Sequence, residues 1–527
     1  MRGKVLKSRD GKDFFSFTKI PYAKPPLGER RFKISEKADN WNGTLDATQH
    51  IPSCYQNSEF VGKGTSGQED CLYLNVFTPN ITGKLPVIFH VHGGAFKVGN
   101  AGGFDIANFF IDENIVFVAT NYRLGTLGFL SLEDDVIPGN MGLKDQALAL
   151  EWVRKEISAF GGDPDLITVM GESAGAASSH ILCEIPRTRD LVKGCVSQSG
   201  DGWSQWAIMS KGHAREMALN LIKEVGCNET NTLQCLQSKP IELVGNDSLL
   251  INASQPQSTS RLTLSSPVLE QLNNPEAILT SWPTGSKHDY PRILGVSQDD
   301  GMIYTFLYEY HLKSQQEIDS FINNFNQSVI SVLHLENRTN DFLKIRDRFF
   351  KKDVDPILAI RNFATEYLFV QPVLKSLSVH TGPIYFYKFN YTRGPALPFN
   401  LKPDHPGVPH GAEAPYLLGD SSHISSSWPN KEDVKLSKLL VKMWANFAKN
   451  QTPSGPGVVE WSKFQGQYFL DIQDSGVNIG NYTQYHEILD FWKTIFPEVP
   501  SSSSTIHSSL LLSTAFCIYT VFKRIFP

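Results

Sequence analysis

Between residues 84 and 170, short apolar runs alternate with one longer amphipathic run. The apolar runs are LPVIFHVH, NIVFVATNYR and LITVM, and the amphipathic run DQALALEWVRKEISAF lies between the last two. Runs rich in Val, Ile and Phe are typical of buried parallel strands, and apolar residues spaced by three and four predict a helix. The pattern therefore predicts strand, strand, helix, strand, in a doubly wound α/β sheet that helices cover on both faces.

The domain organisation follows from what interrupts this pattern. The predicted helix ends in GGDPD, whose glycines and proline turn the chain into the next strand. We find no internal repeat, and no Pro-rich or Ser-rich linker before Pro500. The 527-residue sequence therefore predicts one large domain over residues 1–497 and a polar spacer with an apolar tail over residues 498–527.

Composition and charge exclude two broad classes. Apolar residues make up 41% of the chain and charged residues 20%, which is near the average of globular proteins and excludes a largely disordered chain. The formal net charge is -5, and no long run of Lys and Arg provides the basic surface on which nucleic-acid binding depends. We therefore expect no nucleic-acid partner.

Cysteines and glycosylation motifs favour an oxidising, glycosylating compartment. Among the 7 cysteines, two pairs of chain neighbours close short loops, as local disulfides do. Asn-x-Ser/Thr triplets are spread along the chain at Asn42, Asn80, Asn228, Asn246, Asn252, Asn326, Asn337, Asn390, Asn450 and Asn481. The first residues, MRGKVLKSRDGKDFFSF, lack the apolar segment of a secretory signal peptide. Either an exported N-terminus is missing or the compartment interpretation is wrong.

The C-terminal tail changes from polar to apolar. After Pro500 the chain reads SSSSTIHSS, then LLLSTAFCIYTVF, then KRIFP, and this apolar run is shorter than the roughly 20 residues that span a bilayer. Small residues, a short spacer and an apolar tail have the layout of a glycolipid-anchor signal, with Ser501 or Ser502 as the attachment residue. Lys523 and Arg524 fit that signal poorly. The alternative is a tail that touches the membrane or is disordered, so a membrane tether stays one of two interpretations.

A strand, a tight turn and a helix surround one serine. The run LITVM leads directly into GESAG, and the AASSHILC that follows predicts a helix. In a G-x-S-x-G turn of this kind, the glycines let strand and helix pack closely, and the strained serine presents its hydroxyl at the surface of the sheet. The motif alone also occurs in ordinary Gly-rich turns. Its place between a strand and a helix favours Ser173 as a nucleophile.

A glycine-rich loop upstream of this turn provides candidate oxyanion donors. In VIFHVHGGAF, the glycines follow the end of a predicted strand, as in the HGGG-type loop of serine hydrolases. We expect the backbone N–H groups of Gly94, Ala95 and Ala174 to point at a developing oxyanion, where each donor contributes about 3–4 kcal/mol. The alternative is a glycine turn that only ends a strand.

Two histidines and two aspartates are candidates for base and acid. His410 lies in the Gly- and Pro-rich loop GVPHGAEAPYLLG, and His405 precedes it by five residues. Asp299 and Asp300 follow a predicted strand in ILGVSQDDG. Taken alone, each of them fits an ordinary surface loop or a solvated turn. The order serine, acid, histidine is that of α/β-hydrolases, and it favours one aspartate and one histidine as partners of Ser173.

These residues resemble the type-B carboxylesterase and cholinesterase family, and the likeness extends from about Val5 to Trp492. Besides GESAGA and HGGAF, segments that look like family segments occur in family order: IPYAKPPLGERRF, EDCLYLNVFTP, NYRLGTLGFL, GNMGLKDQALALEWV, FGGDPDLITVM, LGVSQDDG and GVPHGAEAPYLL. The resemblance implies an α/β-hydrolase fold with a mostly parallel central sheet covered by helices. The protein is carboxylesterase-like rather than a true cholinesterase.

The resemblance implies roles for individual residues. It assigns the catalytic triad to Ser173, Asp300 and His410, and the oxyanion hole to Gly94, Ala95 and Ala174. It implies disulfides Cys54–Cys71 and Cys227–Cys235, free thiols at Cys183, Cys195 and Cys517, and structural ion pairs Arg31–Glu69 and Arg123–Asp163. Most relatives carry Glu in place of Asp300. Because Asp is one methylene shorter, we expect the imidazole or its loop to lie closer to the acid.

The implied activity is hydrolysis of small-molecule carboxylic esters through an acyl-enzyme, with no metal or organic cofactor. The segment YQNSEFVGKGTSGQED has no Trp where cholinesterases hold a quaternary ammonium, which disfavours choline esters. Glu172 stands where juvenile hormone esterases usually have Gln, and Trp206 is either a wall of the acyl pocket or an ordinary core residue. A specialised hormone esterase and a non-catalytic adhesion or binding relative stay open as alternatives.

The resemblance also bears on compartment. Family members usually carry one more short strand and a signal peptide before the segment equivalent to GKDFFSF. It therefore implies a secreted or extracellular membrane-anchored protein, and it leaves open whether the N-terminus is truncated in this sequence.

Overall fold

One mixed sheet of eleven strands runs through the described part of the chain. With two further strands outside this sheet, the strands of the described residues are β1 (Lys4–Lys7), β2 (Asp13–Pro21), β3 (Gln56–Asn57), β4 (Thr65–Ser66), β5 (Tyr73–Thr78), β6 (Leu85–Val91), β7 (Val116–Thr120), β8 (Gly162–Glu172), β9 (Gly194–Gln198), β10 (Arg292–Ser297), β11 (Ile384–Asn390), β12 (Tyr468–Gln473) and β13 (Gly476–Asn481). The order in the large sheet is β1-β2-β5-β7-β6-β8-β9-β10-β11-β12-β13, and β3 pairs with β4 separately. Strands β7 to β12 are parallel within this order, whereas the pairs at both edges are antiparallel.

Helices connect the strands. They are α1 (Asn108–Asp112), α2 (Gly125–Phe129), α3 (Met141–Glu156), α4 (Ala174–Glu184), α5 (His213–Glu224), α6 (Thr232–Ser238), α7 (Ile241–Val244), α8 (Thr339–Phe349), α9 (Pro356–Ala364), α10 (Gln371–Val379), α11 (Ala414–Leu418), α12 (Lys431–Asn450) and α13 (Thr483–Ile495). Short 3-10 turns lie at Gly28–Arg30, Phe104–Ala107, Ile157–Phe160, Arg189–Leu191 and Asp247–Leu250, and Thr365–Val370 forms a π-helical turn between α9 and α10.

This computed structural model describes residues 1–57, 64–228, 230–250, 265–283, 289–305, 338–351, 354–394, 406–419 and 430–496. Two compact units are present, the first spanning Met1–Thr483 with the whole sheet and the second beginning at Gln484. The domain boundary predicted at residue 497, the tail with Ser501 and Ser502, Cys517, and the rival base His405 lie outside the described residues.

Alternation along the central strands divides the core between the two faces of the sheet. In β6, Val87 and Phe89 belong to the hydrophobic cluster that includes buried residues of α3 and α4, whereas Ile88 belongs to the cluster that includes buried residues of α12. Successive side chains of a strand point to opposite faces, so a strand that is apolar throughout needs helices on both sides. The predicted doubly wound α/β class is confirmed. The four elements predicted for residues 84–170 form as β6, β7, α3 and β8, and the structure adds two short helices that the pattern did not predict, α1 between β6 and β7 and α2 before α3.

Both disulfides implied by the resemblance are present. Cys54 pairs with Cys71, and Cys227 pairs with Cys235. Cys183 and Cys195 are free and buried. The two cross-links each close a short loop, as their spacing in the sequence suggests.

Of the two implied ion pairs, one forms and the other has a different partner. Arg31 Nε lies 2.5 Å from Glu69 Oε1, as expected. Arg123 does not pair with Asp163. Its Nη2 lies 2.7 Å from Asp145 Oδ1, and its Nε donates to Asp145 Oδ2 at 2.8 Å.

The Asp145 carboxylate is fully buried at the start of α3 and also accepts the backbone N–H of Arg123 at 3.0 Å. Asp163 instead lies 3.5 Å from the exposed Lys84. The prediction of Arg123–Asp163 is wrong because helix α3, and not the first residues of β8, presents the acid to the buried guanidinium.

Replacing Asp145 with Ala should lower the free energy of unfolding by about 3–5 kcal/mol, because it leaves the Arg123 charge buried without its partner. Glu151→Ala is the matched control, since Glu151 pairs with Arg187 at 2.6 Å where both side chains are partly exposed. The control should lose no more than about 1 kcal/mol. Urea titrations of both variants measure the difference, and equal losses would contradict this account.

Candidate active site

Ser173 occupies the turn between β8 and α4 in a strained backbone conformation. Its φ and ψ are 58° and −124°, a region that few residues other than Gly adopt. Its N–H donates to the Gln198 carbonyl at 2.8 Å, and its carbonyl accepts from the Ala177 N–H at 3.0 Å. These two bonds hold the turn between β9 and the first turn of α4.

The glycines on either side of this turn are required by close backbone packing. A Cβ at Gly175 would lie 2.1 Å from the Val91 carbonyl oxygen, and a Cβ at Gly171 would lie 2.3 Å from the carbonyl of Gly175. Neither position leaves space for a methyl group. The G-x-S-x-G pattern therefore reflects strand β6, strand β8 and helix α4 in direct backbone contact.

The predicted donor loop follows β6 and lies against Ser173. A Cβ at Gly93 would lie 3.1 Å from the Ser173 Cβ, which places the backbone of this loop beside the serine. Within the described residues, the N–H groups of Gly94, Ala95 and Ala174 donate no hydrogen bond. The backbone of this loop therefore borders the serine turn, and the role of the three N–H groups as oxyanion donors stays a prediction.

Asp300 follows β10 and is fully buried. Its Oδ1 lies 2.8 Å from His410 Nδ1. Its Oδ2 accepts from the Ser199 hydroxyl at 3.1 Å and from the Ser297 N–H at 2.9 Å. The carboxylate is therefore oriented by two donors on one oxygen while the other oxygen faces the imidazole.

The second aspartate of the pair has a different task. Asp299 Oδ2 accepts the Val408 N–H at 2.9 Å, and the Asp299 N–H donates to the Val408 carbonyl at 3.0 Å. Arg361 lies 3.5 Å from the other carboxylate oxygen. Asp299 thus ties the segment before His410 to the end of β10, and Asp300 is the aspartate that contacts the imidazole.

His410 is buried between two carboxylates. While Nδ1 faces Asp300, Nε2 lies 3.0 Å from Glu172 Oε1 without the alignment of a hydrogen bond. Because Glu172 directly precedes Ser173, this contact brings the reactive face of the imidazole next to the serine turn. No hydrogen bond joins the Ser173 hydroxyl to Nε2 among the residues described, and such bonds are often long in free enzymes and shorten with substrate.

The two acids also shift the pKa of the imidazole. Burial alone would lower the pKa of His410, but the neighbouring Glu172 carboxylate and the hydrogen bond with Asp300 outweigh it and raise that pKa to about 9. Burial raises the pKa of Glu172 to about 7, against the opposing effect of His410. The pair therefore favours the state in which Glu172 and His410 carry opposite charges.

A third carboxyl group, that of Glu413, lies near Asp300 and His410. Glu413 accepts the Tyr387 hydroxyl at 2.8 Å on Oε1 and the Ser297 hydroxyl at 3.2 Å on Oε2. Burial, and then the Asp300 charge, raise the pKa of Glu413. Nothing in the sequence marks Glu413, Ser199 or Ser297 as parts of the site, although GAEAP places Glu413 three residues after His410.

An aromatic wall borders the imidazole. The Phe369 ring centroid lies 4.7 Å from that of His410. The Trp206 ring centroid lies 6.0 Å from that of Phe369. Trp206 Nε1 donates to the Leu368 carbonyl at 3.0 Å. The structure thus connects Trp206 to the site through Phe369, a residue that no motif in the sequence indicated.

Comparison with known proteins identifies the family of the chain. Residues 1–492 match the Carboxylesterase family. The chain is 30% identical to Esterase FE4 of Myzus persicae over 483 residues, which cover 86% of this chain and 83% of that protein. It is 31% identical to Cocaine esterase of Homo sapiens over 510 residues, 92% of this chain and 87% of that protein. It is 29% identical to Juvenile hormone esterase of Tribolium castaneum over 524 residues, 92% and 88% of the two chains.

The fold and these matches define a carboxylic ester hydrolase of the α/β-hydrolase class. The prediction that the protein is carboxylesterase-like is confirmed. The chain belongs to the Carboxylesterase family.

Replacing Glu172 with Gln should lower the pKa of His410 from about 9, because the substitution removes the carboxylate that stabilises the imidazolium. The measurement is a titration of the imidazole ¹⁵N resonances in protein labelled at histidine, with His410→Gln to assign the signal. Glu151→Gln removes an equal charge far along α3 and should leave the titration unchanged. An unchanged or raised pKa in the Glu172 variant would contradict the assignment of this contact.

Proposed function

We propose that the protein hydrolyses small-molecule carboxylic esters through an acyl-enzyme, with Ser173 as nucleophile, His410 as general base and Asp300 as the acid that orients it. The observation that carries the proposal is the 2.8 Å contact of Asp300 with His410 Nδ1, which leaves Nε2 directed at the turn that bears Ser173. The alternative of a non-catalytic adhesion relative lacks support, because nucleophile, base and acid are all retained.

In the first step, Ser173 Oγ attacks the ester carbonyl carbon and His410 Nε2 accepts the hydroxyl proton. His410 acts in its neutral form, in which Asp300 holds the proton on Nδ1 and leaves Nε2 as the acceptor; the Asp300 carboxylate then stabilises the imidazolium that forms. The imidazolium then donates its proton to the departing alcohol oxygen as the tetrahedral intermediate collapses. Water, deprotonated by His410, releases the acid from the acyl-enzyme by the same steps.

The oxyanion would be held by backbone alone. The N–H groups of Gly94, Ala95 and Ala174 have no other acceptor in the described residues, and they lie on two elements that meet at Ser173. Donors of this kind are fixed before the reaction and gain strength as charge moves to the carbonyl oxygen. The protein therefore supplies nucleophile, base and electrophilic stabilisation from its own groups.

The substrate class follows from the walls of the site. Phe369 and Trp206 present aromatic surface beside His410, which suits an apolar acyl or alcohol group. No Trp lies in the segment between Cys54 and Cys71, so that segment lacks the ring over which cholinesterases hold a quaternary ammonium. We therefore propose uncharged esters as substrates.

We also propose an extracytoplasmic location. Two disulfides are typical of oxidising compartments. At Asn80 and Asn481 the side chain is exposed, and its Oδ1 accepts the hydroxyl of the sequon Thr at 2.9 Å and 2.6 Å. Among the helices that the structure describes, none combines the length and the apolar character needed to cross a bilayer. The tail remains a candidate glycolipid-anchor signal.

Replacing Ser173 with Ala should reduce kcat for a short-chain aryl ester by about 10⁶-fold if serine, histidine and acid act as a unit. Ser178→Ala is the matched control, because Ser178 is buried on the same helix and its hydroxyl has no hydrogen-bond partner in the described residues. Titration with an organophosphate should give one label per chain in wild type and none in the Ser173 variant. Near-normal activity of that variant would end the assignment.

Expression in secreting eukaryotic cells should yield glycans on Asn80 and Asn481. Asn246 should stay unmodified, because its Oδ1 accepts from Asn57 and its neighbour Asp247 is buried. Enzymatic deglycosylation in H₂¹⁸O followed by peptide mapping reports occupancy at each asparagine. A secreted protein without glycan at Asn80 and Asn481 would contradict the proposed location.

A further inference from the structure

We propose that Lys97 is a positioning residue of the oxyanion hole, and that its buried ion pair with Asp247 holds the donor loop in the geometry that accepts the oxyanion. The inference rests on the proposed function, because it assigns Gly94 and Ala95 as donors. Lys97 itself touches no reacting atom in this account.

The donor loop needs an anchor because its backbone is strained. Gly94, Ala95 and Phe96 have φ values of 107°, 55° and 59°, so three consecutive residues lie in the left-handed region. For Ala95 and Phe96 this region is unfavourable, since each carries a Cβ. Conformations of this kind persist only where the surroundings fix them. The residue that follows the strained stretch is Lys97.

The ammonium group of Lys97 has an acidic partner. Its Nζ lies 3.4 Å from Asp247 Oδ2, and only 7% of either side chain is exposed. The other carboxylate oxygen of Asp247 accepts the Thr126 N–H at 3.0 Å. Asp247 therefore joins the donor loop to the start of α2 through one carboxylate.

A second contact links the same two segments through the backbone. The Phe96 carbonyl accepts the Gly125 N–H at 2.8 Å, and the Lys97 N–H closes the loop on the Gly94 carbonyl at 2.9 Å. A Cβ at Gly125 would lie 2.8 Å from Asp247 Oδ1, so the carboxylate is packed against this turn. The loop is thus held by the backbone of Phe96 and by the side chain of Lys97.

The chemistry of the Lys97–Asp247 pair indicates that it fixes the geometry of the donor loop rather than adding to the stability of the fold. Lysine is rarely buried unless it is paired, and a buried ion pair adds little net stability over an apolar pair of similar volume. What the charged pair does provide is a single favoured arrangement, because displacement of the loop would separate two opposite charges that are both buried. An apolar pair would allow the loop to slide. We therefore expect removal of the pair to weaken stabilisation of the transition state and so to lower kcat.

The test replaces both charges while keeping the volume. In Lys97→Met with Asp247→Asn, the Asn side-chain oxygen can still accept the Thr126 N–H. We expect kcat for an aryl ester to fall about 10-fold or more with KM nearly unchanged, because small displacements of groups that stabilise the transition state cost rate and not substrate binding. Affinity for a trifluoromethyl ketone, which forms a tetrahedral adduct with Ser173, should fall by a similar factor. The single variant Lys97→Arg keeps an ion pair with Asp247 and should retain most of the wild-type kcat.

Lys144→Met with Glu270→Gln is the matched control. Lys144 Nζ lies 2.5 Å from Glu270 Oε1 and both side chains are fully buried, but the pair does not contact the donor loop. This control is expected to lower the thermal midpoint and leave kcat and ketone affinity at wild-type values.

The proposal is overturned if the Lys97 and Asp247 double variant keeps wild-type kcat and ketone affinity, if it changes only KM, or if the control loses kcat equally. Failure of the proposed function is seen separately, as activity that survives Ser173→Ala.

Discussion

The carbonyl oxygen of Val91 occupies the space that any side chain at position 175 would need, and the rest of the site depends on this contact. Strand β6 delivers the donor loop, and strand β8 delivers Ser173. Both reach the same point because Gly171 and Gly175 let three backbone segments touch. A Cβ at Gly200 would likewise lie 2.4 Å from the Ser173 carbonyl oxygen, so the segment that follows β9 is part of the same contact. Backbone packing thus brings the serine turn and the loop after β6 together, and the ion pair proposed for Lys97 acts on a loop that is already close to Ser173.

Electrostatics impose the second constraint. Three carboxyl groups lie around one imidazole, those of Asp300 and Glu413, which are buried, and that of Glu172, whose side chain is 18% exposed. Three negative charges could not be buried together, and the pKa values of Glu172 and Glu413 are both raised by burial. His410 is the cation that one of these carboxylates stabilises. The imidazole therefore gains a proton more readily than a solvated histidine does, and only its neutral form could act as the general base proposed for it.

Sequence predicted those features that depend on short stretches of chain. The strands and helix of residues 84–170 follow from local periodicity, and the turn at Ser173 follows from its glycines. Asp300 was separable from Asp299 only by resemblance, because both follow the same strand. Features built by distant segments were missed: Phe369 reaches His410 from the π-helical turn, and no local pattern reports that approach. The Arg123–Asp163 prediction failed for the same reason, since its true partner comes from the start of α3.

The side chain of Asp300 is one methylene shorter than that of Glu, so the His410 segment has to lie close to the end of β10 for the two groups to touch. Asp299 makes two hydrogen bonds to Val408, at 2.9 Å and 3.0 Å, and these hold the histidine segment at the end of that strand. Arg361 reinforces the link, because it lies 3.5 Å from Asp299 and donates to the Pro406 carbonyl at 3.2 Å. The neighbouring aspartate thus fixes the segment on which the 2.8 Å contact of Asp300 with His410 depends.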